Sequence, residues 1–106
     1  MIIIENIHKK KSYKKCIDIF IGRPSPLGNP FPINKDCNRS ECINKYKVWL
    51  KQQTVNHKSE AYKELRRIQI LEEKNPNTII RLLCFCKPLP CHGDWLVYKL
   101  ENRMFF

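Results

Sequence analysis

The chain has 106 residues, 42% of them hydrophobic and 28% charged. That is enough for one compact domain, expected over 1–106, and too little for two; it excludes wholesale disorder, and no apolar run approaches the ~20 residues that a membrane span needs. The formal charge of +10, from 20 Lys and Arg against 10 Asp and Glu, makes a surface that attracts phosphates, whether on a nucleotide, a nucleic acid or an anionic lipid.

Residues 1–7, "MIIIENI", form a β-branched apolar run that reads as a strand and is too short for a signal peptide or anchor, which points to a cytoplasmic protein. The "HKKKSYKK" segment at 8–15 concentrates like charges and reads as a solvated loop. "CIDIFIG" at 16–22 alternates, with Ile17, Ile19 and Ile21 on one side and Cys16, Asp18 and Phe20 on the other, the pattern of a second strand. The lysine-rich loop can join the two as a long hairpin or leave them parallel.

"GRPSPLGNPFP" at 22–32 places four prolines and two glycines in eleven residues and must be a stiff loop. From Arg39 the period turns helical, with Cys42, Ile43, Tyr46, Trp49 and Leu50 recurring at three- and four-residue intervals, and Asn38 or Ser40 suits the cap. A second amphipathic helix spans 59–74, carrying Tyr62, Leu65, Ile68 and Leu71, and "NPN" stops it. Residues 78–86, "TIIRLLCFC", read as a central strand covered on both faces. A last helix is expected from Gly93, with Asp94 in its first turn.

This order predicts a small single-domain α/β protein with a βααβα core, a partly parallel sheet of about three strands, and two or three layers. If the strands before "GRPSPLGN" and "CKPLPCHGD" are parallel, both loops leave the carboxyl edge of the sheet, where open α/β sheets bind ligands.

Six cysteines without an export signal read as reduced thiols or metal ligands rather than a disulfide framework. In "CFCKPLPCHGDW", Cys84 and Cys86 project from one face of a strand. Together with Cys91 and His92 they match tetrahedral zinc in ligand type, but C-x-C-x4-C-H is not a recognised finger spacing and the adjacent pair strains to reach one ion. No metal ligand is assigned on that basis. Cys84 reads as a small buried hydrophobe. Cys91, at a helix amino terminus and beside His92, is the candidate nucleophile, with His92 and Asp94 as acid or base; the plain alternative makes Asp94 an ordinary first-turn carboxylate. In the other loop, Gly22 and Gly28 allow close backbone approach, Arg23 offers a fork for phosphate or carboxylate, and Ser25 and Asn29 add short polar groups. The plain reading there is a buried turn with Arg23 paired to Asp94.

"IGRPSPLGNPF", then "R-x-x-C-I-x-K-Y-x-x-W-L", then "LLCFCKPLPCHGDWL" resemble, in order and spacing over 17–97, a family of small phage and bacterial proteins catalogued as domain-of-unknown-function family 4326. The resemblance singles out Gly22, Arg23, Ser25, Gly28, Asn29, Pro30, Arg39, Tyr46, Cys84, Cys86, Cys91, His92, Gly93 and Asp94. Pro24 stands where members often have Gly; the family pattern, R-x-x-x-I-x-K-Y-x-x-W-L, leaves the position of Cys42 open, so Cys16, Cys37 and Cys42 are treated as incidental to the motifs. The resemblance implies a shared site and a viral or bacterial setting but supplies no reaction.

The leading expectation is binding, with or without hydrolysis, of a phosphate-bearing, nucleotide-like molecule, such as a nucleotide or ADP-ribose derivative. Its place is between the 22–30 and 86–94 loops, with Gly22, Arg23, Ser25, Gly28, Asn29, Cys86, His92, Gly93 and Asp94 as contacts. A phage protein of this kind would act on host nucleotide signalling in the host cytoplasm. Two alternatives are a basic nucleic-acid-binding module, with or without structural zinc, and a phage protein that inhibits a host protein by direct binding.

Overall fold

The computed structural model describes residues 1–103; the last three residues of the expected domain, 104–106, lie outside the described residues. Six elements follow in order: β1 (Ile2–Asn6), β2 (Cys16–Phe20), α1 (Arg39–Val55), α2 (Glu60–Lys74), β3 (Ile79–Cys84) and α3 (His92–Asn102). The sheet has the order β1-β3-β2 and both pairs are parallel. The hairpin alternative for the first two strands is therefore not adopted, because β3 inserts between them.

The register explains the layering. Ile2 and Ile17 flank Ile80, and Ile4 and Ile19 flank Leu82, so period-two alternation gives one face of the sheet an unbroken apolar surface. That face shares one core with Tyr46 and Leu50 of α1, Ala61, Leu65 and Ile68 of α2, and Leu96 and Leu100 of α3. The three helices thus form one layer on one side, and the architecture is two-layered.

On the opposite face Arg81 stands mid-strand between two acids. Its guanidinium bonds Asp18 at 2.8 Å and Glu5 at 3.0 Å, reaches the Lys11 carbonyl, and lies 5.6 Å from the Tyr13 ring centroid. The 7–15 connection runs across β3 on this side, tied down by Arg81 while its lysines stay exposed. The solvated-loop expectation holds for its side chains, and the tie to the sheet comes from an arginine that the apolar pattern of β3 concealed. The strand expected to reach Cys86 ends at Cys84, leaving Phe85 and Cys86 in the loop.

Caps set the helix ends. Asn38, rather than Ser40, caps α1, its Oδ1 accepting from the Glu41 amide at 2.9 Å. Ser59 caps α2. Helix α3 starts at His92, one residue before the expected Gly93, because Cys91 is its cap and Asp94 returns a side-chain bond to the Cys91 amide at 3.1 Å. Among the described residues no helix is long and apolar enough to cross a membrane.

Candidate functional site

Since β2 and β3 are parallel, the loops following them leave the same edge. The first, after β2, folds through two successive turns, with Ser25 N–H donating to the Gly22 carbonyl at 2.8 Å and Gly28 N–H to the Ser25 carbonyl at 2.9 Å. Gly28 is required there: a Cβ would stand 2.9 Å from the Arg23 nitrogen and from the Gly22 oxygen, which are backbone atoms that cannot rotate away. Tyr46, fully buried in α1, donates its hydroxyl to the Leu27 carbonyl at 2.8 Å and so fastens the loop to the helical layer. Asn29 ties the loop to the segment beyond it, accepting from Phe31 N–H at 2.9 Å and donating to the Cys42 carbonyl at 3.3 Å.

The second loop, 85–91, is held by Asn6, whose amide donates to the carbonyls of Phe85 and Lys87. Arg39, in the first turn of α1, donates to the Pro90 carbonyl at 3.1 Å. His92 joins the two loops: its Nε2 lies 2.8 Å from the Ile21 carbonyl. A carbonyl only accepts, so Nε2 carries the proton and Nδ1 is a bare acceptor. Burial, reinforced by the Arg23 charge, lowers the His92 pKa below its ordinary value and keeps the ring neutral.

Between the loops opens a cleft of about 310 Å³. Gly22, Arg23 and Asn29 line one wall and Cys84, Phe85, Cys86, Pro90, Cys91 and His92 another. A third wall, formed by Phe31, Pro32 and Ile33 with Arg39, Cys42 and Ile43 of α1, was not part of the expected cleft. Arg39 and Tyr46 stood in the second motif, which was the available signal for this helix; that residues 31–33 turn toward the cleft depends on the Asn29 bonds and has no local signature.

Of the residues expected to contact a ligand, Gly22, Arg23, Asn29, Cys86 and His92 line the cleft, and Ser25, Gly28, Gly93 and Asp94 do not. Gly93 lies where α3 meets the sheet: a Cβ would come 1.9 Å from Ile4 Cδ1 and 2.7 Å from Ile21 Cδ1. Asp94 binds Lys87 at 3.0 Å and the Cys91 amide, so the alternative pairing of Arg23 with Asp94 is not made. Ser25 Oγ is buried without a partner among the described residues. Arg23 has no hydrogen-bond or ion-pair partner among the described residues. Among the described residues no carboxylate lines the cleft, which presents two guanidinium groups and a neutral imidazole.

The thiols divide their roles in a way the sequence did not suggest. Cys84 is pulled down to about 6, chiefly by a hydrogen bond from the Cys91 thiol, with help from the Lys87 and Cys86 amides and against the effect of burial. Cys91 is pushed up by that same partner and by burial. The helix-start argument expected Cys91 to be the more acidic thiol; the directions of the two shifts run the other way, down at Cys84 and up at Cys91. All six cysteines are free thiols. Among the described residues no three His, Cys, Asp or Glu side chains gather where an ion would fit, those of the 84–92 segment included.

No curated protein and no solved structure matches the chain. A family model does, over residues 4–102, from the middle of β1 to the end of α3. By that match, which takes in every wall of the cleft, the chain belongs to the family Domain of unknown function (DUF4326).

Proposed function

We propose that the protein binds a small phosphate-bearing, nucleotide-like molecule, such as a nucleotide or ADP-ribose derivative, in the cleft between the loops that follow β2 and β3. One observation carries the reading: among the described residues Arg23 has no hydrogen-bond or ion-pair partner, and it faces, with Arg39, a cleft that none of their carboxylates lines. A guanidinium left without a partner in a concave site is a receptor for phosphate oxygens, which it meets through two parallel N–H bonds. The size supports a small molecule, since ligand clefts begin at roughly 300 Å³. Phe85, braced edge-on by Phe20 at 5.4 Å between centroids, supports one that carries a flat ring. If the bound molecule is hydrolysed, His92 Nδ1 is the base at hand and Arg23 the stabiliser of developing negative charge.

The test is calorimetric titration of orthophosphate, ribose 5-phosphate, AMP and ADP-ribose into the wild type and the Arg23→Ala and Arg39→Ala variants. At least one phosphate compound is expected to bind, and Arg23→Ala to weaken it about 10- to 100-fold, the worth of one charged hydrogen bond. No heat with any of the four at millimolar concentration, or equal affinity in wild type and Arg23→Ala, overturns the reading.

A further inference from the structure

The phosphate reading accounts for the cleft and leaves without a role the concentrated positive charge beside it. Residues 8–15 carry Lys9, Lys10, Lys11, Lys14 and Lys15 and no acid. All five lysines are exposed, and among the described residues only Lys10 meets a carboxylate, that of Asp18 at 3.9 Å. The segment is nevertheless fixed along its length. The His8 amide donates to Asn6 Oδ1 at 2.8 Å and the Lys9 amide to the Asn6 carbonyl at 3.0 Å, Arg81 donates to the Lys11 carbonyl, and the Lys15 carbonyl accepts from the Ile79 amide at 3.0 Å. Ammonium groups carried on an ordered backbone lose less freedom on closing around phosphates than those on a loose chain.

Asn6 also joins this segment to the cleft. Its Nδ2 donates to the carbonyls of Phe85 and Lys87 at 3.2 and 2.9 Å, so one side chain sets the lysine segment against the loop that forms a cleft wall. The rings of His8 and Phe20 lie 5.8 and 5.4 Å from that of Phe85 between centroids. Phe85 nonetheless stays 58% exposed and lines the cleft. A braced, exposed aromatic ring between a guanidinium-lined cleft and a row of ammonium groups suits a single strand, whose bases stack on the ring while its phosphates meet the cations.

We propose that the cleft takes the terminal nucleotide of a single-stranded nucleic acid that ends in a phosphate, and that the following nucleotides run past Phe85 onto the lysine segment. Charge selects the end of the strand: a terminal phosphate monoester carries about −2 at neutral pH, which two guanidinium groups match, whereas each internal diester carries about −1. Size agrees, because a cleft of about 310 Å³ sits at the lower bound for ligand sites, roughly 300 Å³, and leaves the rest of a strand outside. Stacking on Phe85 requires an unpaired base, which excludes a blunt duplex. The inference rests on the phosphate reading of the cleft and adds to it the strand that the terminal phosphate belongs to.

The experiment is fluorescence anisotropy with decathymidylate and decauridylate, each carrying a 5′-phosphate, a 3′-phosphate or hydroxyl ends only, with the dye at the opposite end. A strand with a terminal phosphate is expected to bind about tenfold tighter than its hydroxyl-ended counterpart, and to weaken steeply between about 50 and about 200 mM salt. Changing Lys9, Lys11, Lys14 and Lys15 together to Gln should weaken strand binding about tenfold or more and flatten its salt dependence, while AMP affinity by calorimetry stays within about threefold of wild type. Phe85→Ala should weaken the strand about tenfold. Equal affinity for phosphate and hydroxyl ends, a blunt duplex that binds as tightly as the single strand, or a quadruple lysine variant that binds the strand like wild type overturns the inference. AMP binding without strand binding overturns this inference alone, and loss of both overturns the phosphate reading with it. The wild-type comparison of strand ends and duplex decides should a variant not fold.

Discussion

Replacing Tyr46 with Phe removes one oxygen atom and tests how the first loop is held. The ring is completely buried and touches the edge of His92 at 4.8 Å between centroids, while the hydroxyl donates to the Leu27 carbonyl at 2.8 Å. Phenylalanine keeps the ring packing, so the loss is confined to the hydrogen bond and to the desolvation of a carbonyl left without this donor. For a buried neutral pair that is about 1–3 kcal/mol. In a domain of this size each kcal/mol moves Tm by about 4 °C or slightly more, so a fall of about 4–12 °C follows. The assay is urea and thermal unfolding followed by tryptophan fluorescence, with Trp49 reporting directly because its ring lies 5.4 Å from that of Tyr46. Because Arg23 rides on the same loop, phosphate-ligand affinity should fall with stability. A Tm within about 1 °C of wild type would refute the argument, since a buried carbonyl cannot lose its donor at no cost.

Two further expectations concern other parts of the molecule. Arg81→Met leaves Glu5 and Asp18 facing each other without a cation; a broken buried pair costs about 3–5 kcal/mol, and with Asp18 36% exposed about 2–3 is expected, partly recovered by adding Glu5→Gln and Asp18→Asn. Urea unfolding of the single and triple variants checks this, and a loss below about 0.5 kcal/mol refutes it. His92 has a folded pKa below its ordinary 6.5, so the unfolded chain protonates first; the stability it contributes is complete above 6.5 and is lost as the pH falls from there to the folded value, by at most about 1.4 kcal/mol per unit. His92→Gln, which retains a neutral donor toward the Ile21 carbonyl, should lack that part of the pH dependence when unfolding is compared at pH values on either side of 6.5. Parallel curves for the two proteins would refute a buried neutral His92.

Much of the molecule was legible locally. Alternation in Ile17, Ile19 and Ile21, the helical spacing of Cys42, Tyr46 and Leu50, and the proline-dense 22–32 segment each follow from backbone periodicity or from the fixed φ of proline, which neighbouring residues reveal without the rest of the fold. The convergence of two loops at one sheet edge followed from a single topological rule applied to parallel strands. Cys91 was legible as lying at a helix start, but the upward direction of its pKa shift was not: the influence of Cys84, from another element, drives it together with burial, and neither is marked in the local sequence.

The sequence by itself determined the elements, the α/β class and the positions of the two polar loops, because these depend on interactions within a few residues. Only the tertiary structure decided that β3 inserts between β1 and β2, that Arg81 fastens the crossing loop, and that α1 closes the cleft with Arg39. It also drew Asp94 and Gly93 out of the site, one into a helix cap with Lys87 and the other against Ile4 and Ile21. The physical reason is the same in each case. A charged or small residue takes its role from the partner it meets, and partners distant in sequence are brought into contact by burial of the shared apolar face, which specifies that they meet without marking which polar groups will be left facing solvent.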